Sequence, residues 1–251
     1  MVSERERERY KRQMMLFGDE GQERLKKAHI FIAGAGGLGS PVSLYLAVAG
    51  VGTITIVDMD LVDQTNLNRQ ILHFDRDIGR KKTDSAKEKL QEINPDITIH
   101  SIDVKIDETN AADLVRGADG IVDALDNYPT RYLLNEVAIA KEIPLFHGGI
   151  RGFYGQATTI IPGTTPCLKC IFPKPPPQEV FPVVGATAGF IGTVQANEVL
   201  KHVLGIGEML TGRLFIWDGM QAHAEEICVE RNPACEACSS MTKKTPAREK
   251  K

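Results

Sequence analysis

The chain has 251 residues, 42% of them hydrophobic and 25% charged, with a formal net charge of −3. That composition fits a globular protein with a sizeable core and gives no electrostatic support to nucleic-acid binding. The lack of any apolar run of about 18 residues excludes a membrane-spanning helix. Residues 1–12 are charged at nearly every position and have no apolar segment of the secretory type. Four of the five cysteines stand in two CxxC pairs, so a metal in a reducing, cytoplasmic setting is expected rather than a disulfide framework.

In chain order, residues 4–12 read as a polar helix and residues 29–34 (HIFIAG) as a buried strand. A helix over about 40–49 and a strand over 53–58 (TITIVD) follow. Residues 60–76 lack a period and read as a loop. A helix over 81–93 carries Ala86, Leu90 and Ile93 on one face, and a strand over 97–102, a short helix near 111–116 and a strand over 120–125 (GIVDAL) come next. Pro129 opens a helix over 130–141, before a strand over 144–147. This alternation implies an α/β, Rossmann-like, doubly wound sheet, parallel in its N-terminal part, with helices on both faces. Beyond residue 150 the pattern turns antiparallel, with strands over 154–161, 213–217 and 223–229 and an apolar helix over 187–204. Residues 173–182 hold five of the 13 prolines and read as an extended loop, and the lysine-rich tail 241–251 reads as disordered.

Gly34-Ala35-Gly36-Gly37-Leu38-Gly39 sits between a strand and a helix, the context in which GxGxxG carries meaning. Gly34 permits the tight turn, and Gly36 and Gly37 let the backbone approach a phosphate at the helix N-terminus. Asp58, 24 residues after Gly34, is placed to accept from ribose hydroxyls. For the loop alone, an NAD-dependent oxidoreductase is the default reading. The segment after Asp58 argues against it, because Asn66, Arg69 and Gln70 crowd the position just past the ribose aspartate and suit a triphosphate instead. Arg69 offers a planar fork to phosphate oxygens, and Lys82 opens the next helix as a point charge. Asp126-Asn127 follows the fourth strand, where Asp126 is positioned to hold magnesium.

Cys167-Leu-Lys-Cys170 and Cys235-Glu-Ala-Cys238 each have the spacing at which two thiolates share one tetrahedral ion. A closed four-thiolate site reads as structural, tying the chain's far end to the domain, with a redox pair or an iron–sulfur cluster as alternatives. Cys228, in an alternating strand, reads as a small buried hydrophobe.

Together these residues resemble the MoeB/ThiF/HesA adenylyltransferases, relatives of ubiquitin-activating enzymes. The likeness runs from Arg9 to about Cys238 and is carried by Arg9-Tyr10-Lys11-Arg12-Gln13, the GAGGLG loop, Asp58-Met59-Asp60, Asn66-Leu67-Asn68-Arg69-Gln70, Lys82, Asp126-Asn127 and the CxxC pairs. The resemblance implies ATP, Mg²⁺ and Zn²⁺, with activation of the C-terminal glycine of a ubiquitin-like sulfur carrier as an acyl-adenylate. Molybdopterin or thiamine biosynthesis would be the destination. It places Gly37 at phosphate, Asp58 at ribose, Asn66, Arg69 and Lys82 along the triphosphate, Asp126 on magnesium and zinc on Cys167, Cys170, Cys235 and Cys238. Arg12 would reach into a partner subunit's site, which requires a homodimer.

One adenylation domain is therefore expected over 1–240. Its nucleotide part spans about 28–150, and its carrier-docking and zinc part about 151–240. Many family members carry a cysteine in the loop after the first CxxC pair; here Phe181 stands about there. An enzyme that stops at the adenylate is thus expected, with sulfur delivery left to a separate sulfurtransferase. A non-catalytic carrier-binding protein of the same fold is the alternative, and the four charged residues Arg12, Arg69, Lys82 and Asp126 argue against it.

Overall fold

In β1 (His29–Ala33), Ile30 and Ile32 face one side and Phe31 and Ala33 the other, and all four are buried. A strand apolar on both faces belongs at the centre of a sheet covered on both sides. The computed structural model, which describes residues 2–175 and 181–241, has that arrangement. β2 (Thr53–Val57), β3 (Thr98–Ile102), β4 (Gly120–Asp123) and β5 (Leu145–Arg151) run parallel with β1. β6 (Tyr154–Ile160), β7 (Arg213–Asp218) and β8 (His223–Cys228) extend the sheet in antiparallel fashion. The order across its eight strands is β3-β2-β1-β4-β5-β6-β7-β8.

α1 (Glu4–Lys27), α2 (Gly39–Ala49), α3 (Lys82–Ile93) and α7 (Gly185–Leu204) pack on one face through Leu25, Leu46, Leu90 and Val199. α4 (Ala111–Leu114), α5 (Tyr128–Lys141) and α6 (Leu168–Ile171) cover the other through Ala111, Leu134 and Leu168. The chain winds outward from β1 to β3, then returns to place β4 on the other side of β1. The strand order therefore reverses between β1 and β4, the place where ligands bind in such sheets.

Several boundaries differ from the sequence reading. The first helix runs on to Lys27, broken at Gly18, whose φ is +67°. A capping box between Ser3 and Glu6 starts it, and burial of Tyr10, Gln22 and Leu25 extends it, against a composition too charged to signal this. β5 continues to Arg151 because it pairs with β6 as a hairpin. Cys228 is not buried: β8 is the sheet's edge strand, paired on one side with β7, and all six of its residues are exposed. Residues 176–180 of the proline-rich loop and 242–251 of the tail lie outside the described residues. Among the described residues, no helix is long and apolar enough to cross a membrane.

Candidate functional site

The glycine loop leaves β1 at the switch point. Gly34 has φ +102°, a left-handed conformation that favours glycine, and a Cβ there would come within 2.7 Å of the Ala124 carbonyl. The close approach is needed because Ala124, just past β4, donates its N–H to the Ala33 carbonyl at 3.0 Å. Asp126 lies two residues further on and is exposed at the same sheet edge. Asn127 caps α5, accepting from the Thr130 N–H at 3.0 Å, so the structure gives this residue a helix-start role.

Asp58 is joined to the loop directly. One carboxylate oxygen accepts from the Ala35 N–H at 2.8 Å and the other from the Asp60 N–H at 2.8 Å. Each oxygen retains acceptor capacity for a ribose hydroxyl. Asp60 then pairs with Lys82, Oδ2 to Nζ at 2.8 Å. Lys82 opens α3 with its side chain only 6% exposed, whereas Asp60 is 56% exposed, so the ammonium is held from its solvent side. Beside this pair opens a cleft of about 480 Å³ lined by Asp60, Val62, Asp63, Asn66, Gly79 and Lys82 among others. The glycine loop does not line it, so the cleft accounts for only one flank of the site.

The segment 63–70 bridges the two flanks, since Asp63 and Asn66 line the cleft while Arg69 and Gln70 reach the glycine loop. Asn66 accepts from the Asp63 N–H at 3.2 Å through its side-chain carbonyl, which leaves its amide NH₂ available to donate. Arg69 lies against the glycine loop: a Cβ on Gly37 would stand 3.6 Å from its Cγ and 3.3 Å from Ala188. Its guanidinium is tethered within its own loop, Nη1 donating to the Thr65 carbonyl at 2.8 Å and to Asn68 Oδ1 at 3.0 Å. α7 begins at the same place, since a Cβ on Gly185 would stand 2.3 Å from the Asn68 carbonyl. Among the described residues neither α2 nor α7 has a side-chain cap, and the N-termini of the two helices converge here. Gln70 is buried beside Gly36, and its Oε1 finds no protein donor among the described residues.

Beneath the sheet edge lies a buried polar group that sequence patterning did not disclose. His147 Nδ1 donates to Asp123 Oδ2 at 2.7 Å, and Arg131 sits 3.4 Å from the other Asp123 oxygen. Burial pushes Asp123 up, but the charge of Arg131 and the hydrogen bond from His147 hold it below the ordinary carboxylate range. Burial pushes the His147 pKa down. Arg131 Nη2 also donates to the Leu125 carbonyl at 2.5 Å and to the Gly148 carbonyl at 3.0 Å, which pins the turn that presents Asp126. His73 was missed as well, since an isolated histidine in an aperiodic loop leaves no pattern.

Arg12 is not at this edge. Its neighbours Arg9 and Gln13 donate to the Ile93 carbonyl at 3.0 Å and the Ala49 carbonyl at 2.7 Å. These mark the far ends of α3 and α2, so α1 lies at the opposite edge of the sheet from the glycine loop.

The four paired cysteines do meet. Their sulfur atoms lie within 4.8 Å of one another, with separations of 3.8 Å for Cys167–Cys170, 3.6 Å for Cys167–Cys235 and 3.5 Å for Cys170–Cys238. A tetrahedral zinc with bonds of about 2.3 Å sets sulfurs about 3.8 Å apart, so the cluster has the size for one such ion. All four thiols are free. Burial pushes the Cys167 thiol up, an effect that a bound cation would reverse. The first pair is anchored to the fold by Asn135 Oδ1, which accepts from the Leu168 N–H at 2.8 Å.

A doubly wound sheet with a glycine loop at its switch point, an acidic clamp on that loop and cations on both flanks defines a nucleotide-binding protein of the dinucleotide-fold class. The ThiF family model matches residues 10–237, and the chain belongs to that family. It is 42% identical over 239 residues to the SAMP-activating enzyme E1 of Haloferax volcanii, a match covering 92% of this chain and 88% of that protein. It is likewise 42% identical over 246 residues to the sulfur carrier protein adenylyltransferase of Thermus thermophilus, covering 93% and 91%. Against the adenylyltransferase and sulfurtransferase MOCS3 of Culex quinquefasciatus the identity is 42%, but this chain spans only 56% of that protein. Among solved structures, E. coli MccB with ATP superposes with a TM-score of 0.81 over 92% of this chain and 75% of that one, at 24% identity, a likeness of fold.

Proposed function

We propose that this protein is an ATP-dependent adenylyltransferase that activates the C-terminal glycine of a ubiquitin-like sulfur carrier. The observation that carries the reading is the convergence of the Asp58-clamped glycine loop, the Lys82–Asp60 pair and Arg69 at one sheet edge. The nucleophile is a carboxylate and the target a polyanion, so the barrier lies in repulsion and alignment rather than in proton transfer. The carboxylate oxygen attacks the α-phosphorus, the bond to the bridging oxygen breaks, and pyrophosphate carries away the electron pair. In this reading Gly34, Gly36 and Gly37 approach the phosphates, with Asn66, Asn68, Arg69, Gln70 and Lys82 along them. Asp58 holds the ribose, and Asp126 is the magnesium ligand, where the metal supplies charge neutralisation.

Adenylation needs no thiol, and Phe181 occupies the position about where a family cysteine would stand, so sulfur delivery falls to a separate sulfurtransferase. The pathway is molybdopterin or thiamine biosynthesis, in the cytoplasm. The nucleotide part spans about residues 28–150 and the carrier-docking and zinc part about 151–240. The test is ATP–pyrophosphate exchange with purified carriers. Exchange is expected with one carrier and is lost when its terminal glycine is deleted. ATP binding without exchange on any carrier would favour a binding protein, and tighter binding of NAD than of ATP–magnesium would favour an oxidoreductase.

Zinc on Cys167, Cys170, Cys235 and Cys238 is structural in this reading, because four thiolates leave no open position. The protein is expected to carry about one zinc per chain by elemental analysis. Cys235→Ser is expected to lose it and to lower the melting temperature by roughly 5–10 °C, the scale of a few kcal/mol in a chain of this size. An unchanged melting temperature in the metal-free variant would refute a structural zinc.

A further inference from the structure

We propose that His73 is a positioning residue for the glycine loop, held by a buried relay from Asp77 through Lys89 and Ser85 so that its Nε2–H grips the Ala35 carbonyl. The assignment rests on the adenylyltransferase reading above and specifies how that site is kept in shape.

The relay's two ends have one possible direction each, and with a neutral ring they set the direction of the His73–Ser85 link between them. A carbonyl only accepts, so His73 Nε2, 2.9 Å from the Ala35 oxygen, must carry the proton. Nδ1 is then an acceptor, and Ser85 Oγ lies 2.8 Å from it. An ammonium only donates, so Lys89 Nζ, 2.8 Å from Ser85 Oγ, turns the hydroxyl proton toward the imidazole. Lys89 is in turn paired with Asp77 Oδ2 at 2.5 Å, and Asp77 is secured by Arg80 Nη1 and the Phe74 N–H, each at 2.8 Å. All four relay residues are buried, with Asp77 and Ser85 fully inaccessible. Burial, then the charges of Lys89 and Lys82, push the His73 pKa down against the Ala35 carbonyl and Asp77, so the ring is neutral at neutral pH as the relay requires. Burial likewise pushes Asp77 up, but Lys89, the Phe74 N–H and Arg80 outweigh it and hold the carboxyl at about 2. A buried ion pair is weak support for stability, since well-packed apolar residues often serve as well. Its geometry here instead fixes one tautomer of one ring.

That ring grips the loop at the point the other restraint leaves open. Asp58 holds the Ala35 N–H and His73 holds the Ala35 C=O, so the peptides on both sides of Ala35 are fixed. Gly36 and Gly37, which follow, have no side chains with which to hold themselves. If the loop loses one grip, only a fraction of molecules present the phosphate-ready form, and the apparent affinity falls by that fraction. The loss of one buried hydrogen bond corresponds to about a tenfold change. It should fall on the KM for ATP and leave kcat within about threefold, because a saturating nucleotide reassembles the loop.

The experiment has a spectroscopic and a kinetic arm, both on the full chain. Nitrogen NMR of the histidine rings is expected to show His73 as the Nε2–H tautomer with Nδ1 unprotonated; an Nδ1–H tautomer would overturn the proposal, whatever the protein's activity. His73→Leu is expected to raise the KM for ATP about tenfold in pyrophosphate exchange. His73→Gln, whose amide NH₂ sits near the place of imidazole Nε2, is expected to return it to within about threefold of the wild type. A leucine variant that folds with an unchanged KM, or a glutamine variant no better than leucine, would sink the positioning role. If the leucine variant does not fold, the glutamine variant and the tautomer decide. Failure of the wild-type protein to bind ATP would instead strike the adenylyltransferase reading and leave the tautomer result standing.

Discussion

Lys82→Met is expected to cut carrier-dependent pyrophosphate exchange by roughly 10²- to 10³-fold, the cost of removing one preorganised charge-stabilising donor from a reacting site. Methionine keeps the apolar stem that Lys82 buries in the first turn of α3 and removes only the ammonium. Its partner Asp60 is more than half exposed, so it stays solvated when the cation goes, and the melting temperature should move by no more than a few degrees. The same pairing predicts a milder effect for Asp60→Asn, because Lys82 keeps its charge and loses only the group that holds it in place. A Lys82→Met protein with exchange within threefold of the wild type would mean that the Lys82–Asp60 pair is a fold element and that phosphate is handled elsewhere.

Much of this edge could be read before folding, because the signals are local. A buried strand, a run of glycines and a helix start occupy a dozen residues around Gly34, and TITIVD ends at its aspartate. The structure adds that Asp58 reaches the loop through the Ala35 N–H, so its proximity to the phosphate site was legible and its clamping role was not. The CxxC pairs were legible as pairs, and the 64 residues between them close through β7 and β8 into one cluster. Alternation misled at Cys228, because period two tells which residues share a face and says nothing about whether that face is covered. In the edge strand β8 both faces are exposed. His73, Arg131 and His147 were invisible for a different reason. Buried hydrogen-bond networks join residues from separate elements, here α3 with the 60–80 segment and β4 with α5 and β5, and the period of a single helix or strand carries no trace of such pairings. Asn127 was read as a ligand candidate because the sheet edge is where ligands bind. That edge is also where helices begin, and a helix start needs a cap.

Arg12→Ala is expected to lower exchange by roughly 10³-fold, at the low end for a cationic finger in phosphoryl-transfer systems. The lost activity is expected to return in part when that variant is mixed with Lys82→Met. Within one chain Arg12 cannot act, because Gln13 is bonded to the far end of α2. That eleven-residue helix holds the two edges about 16 Å apart. Any contribution must therefore come from a second copy, and the exposed Met15 and Leu16 on α1 give such a copy an apolar surface to cover. In a two-fold dimer each site would take Lys82 from one protomer and Arg12 from the other. Random exchange between the two variants makes half of the dimers mixed, and each mixed dimer has one site with both residues intact and one with neither. About a quarter of wild-type activity should then reappear from two nearly inactive parents, a recovery that no within-chain role for Arg12 can produce. Sedimentation shows whether the protein is dimeric and whether its subunits exchange. Exchange without recovery, or a monomer as active as any dimer, would remove Arg12 from the reaction and leave α1 as a support for the amino-terminal edge of the sheet.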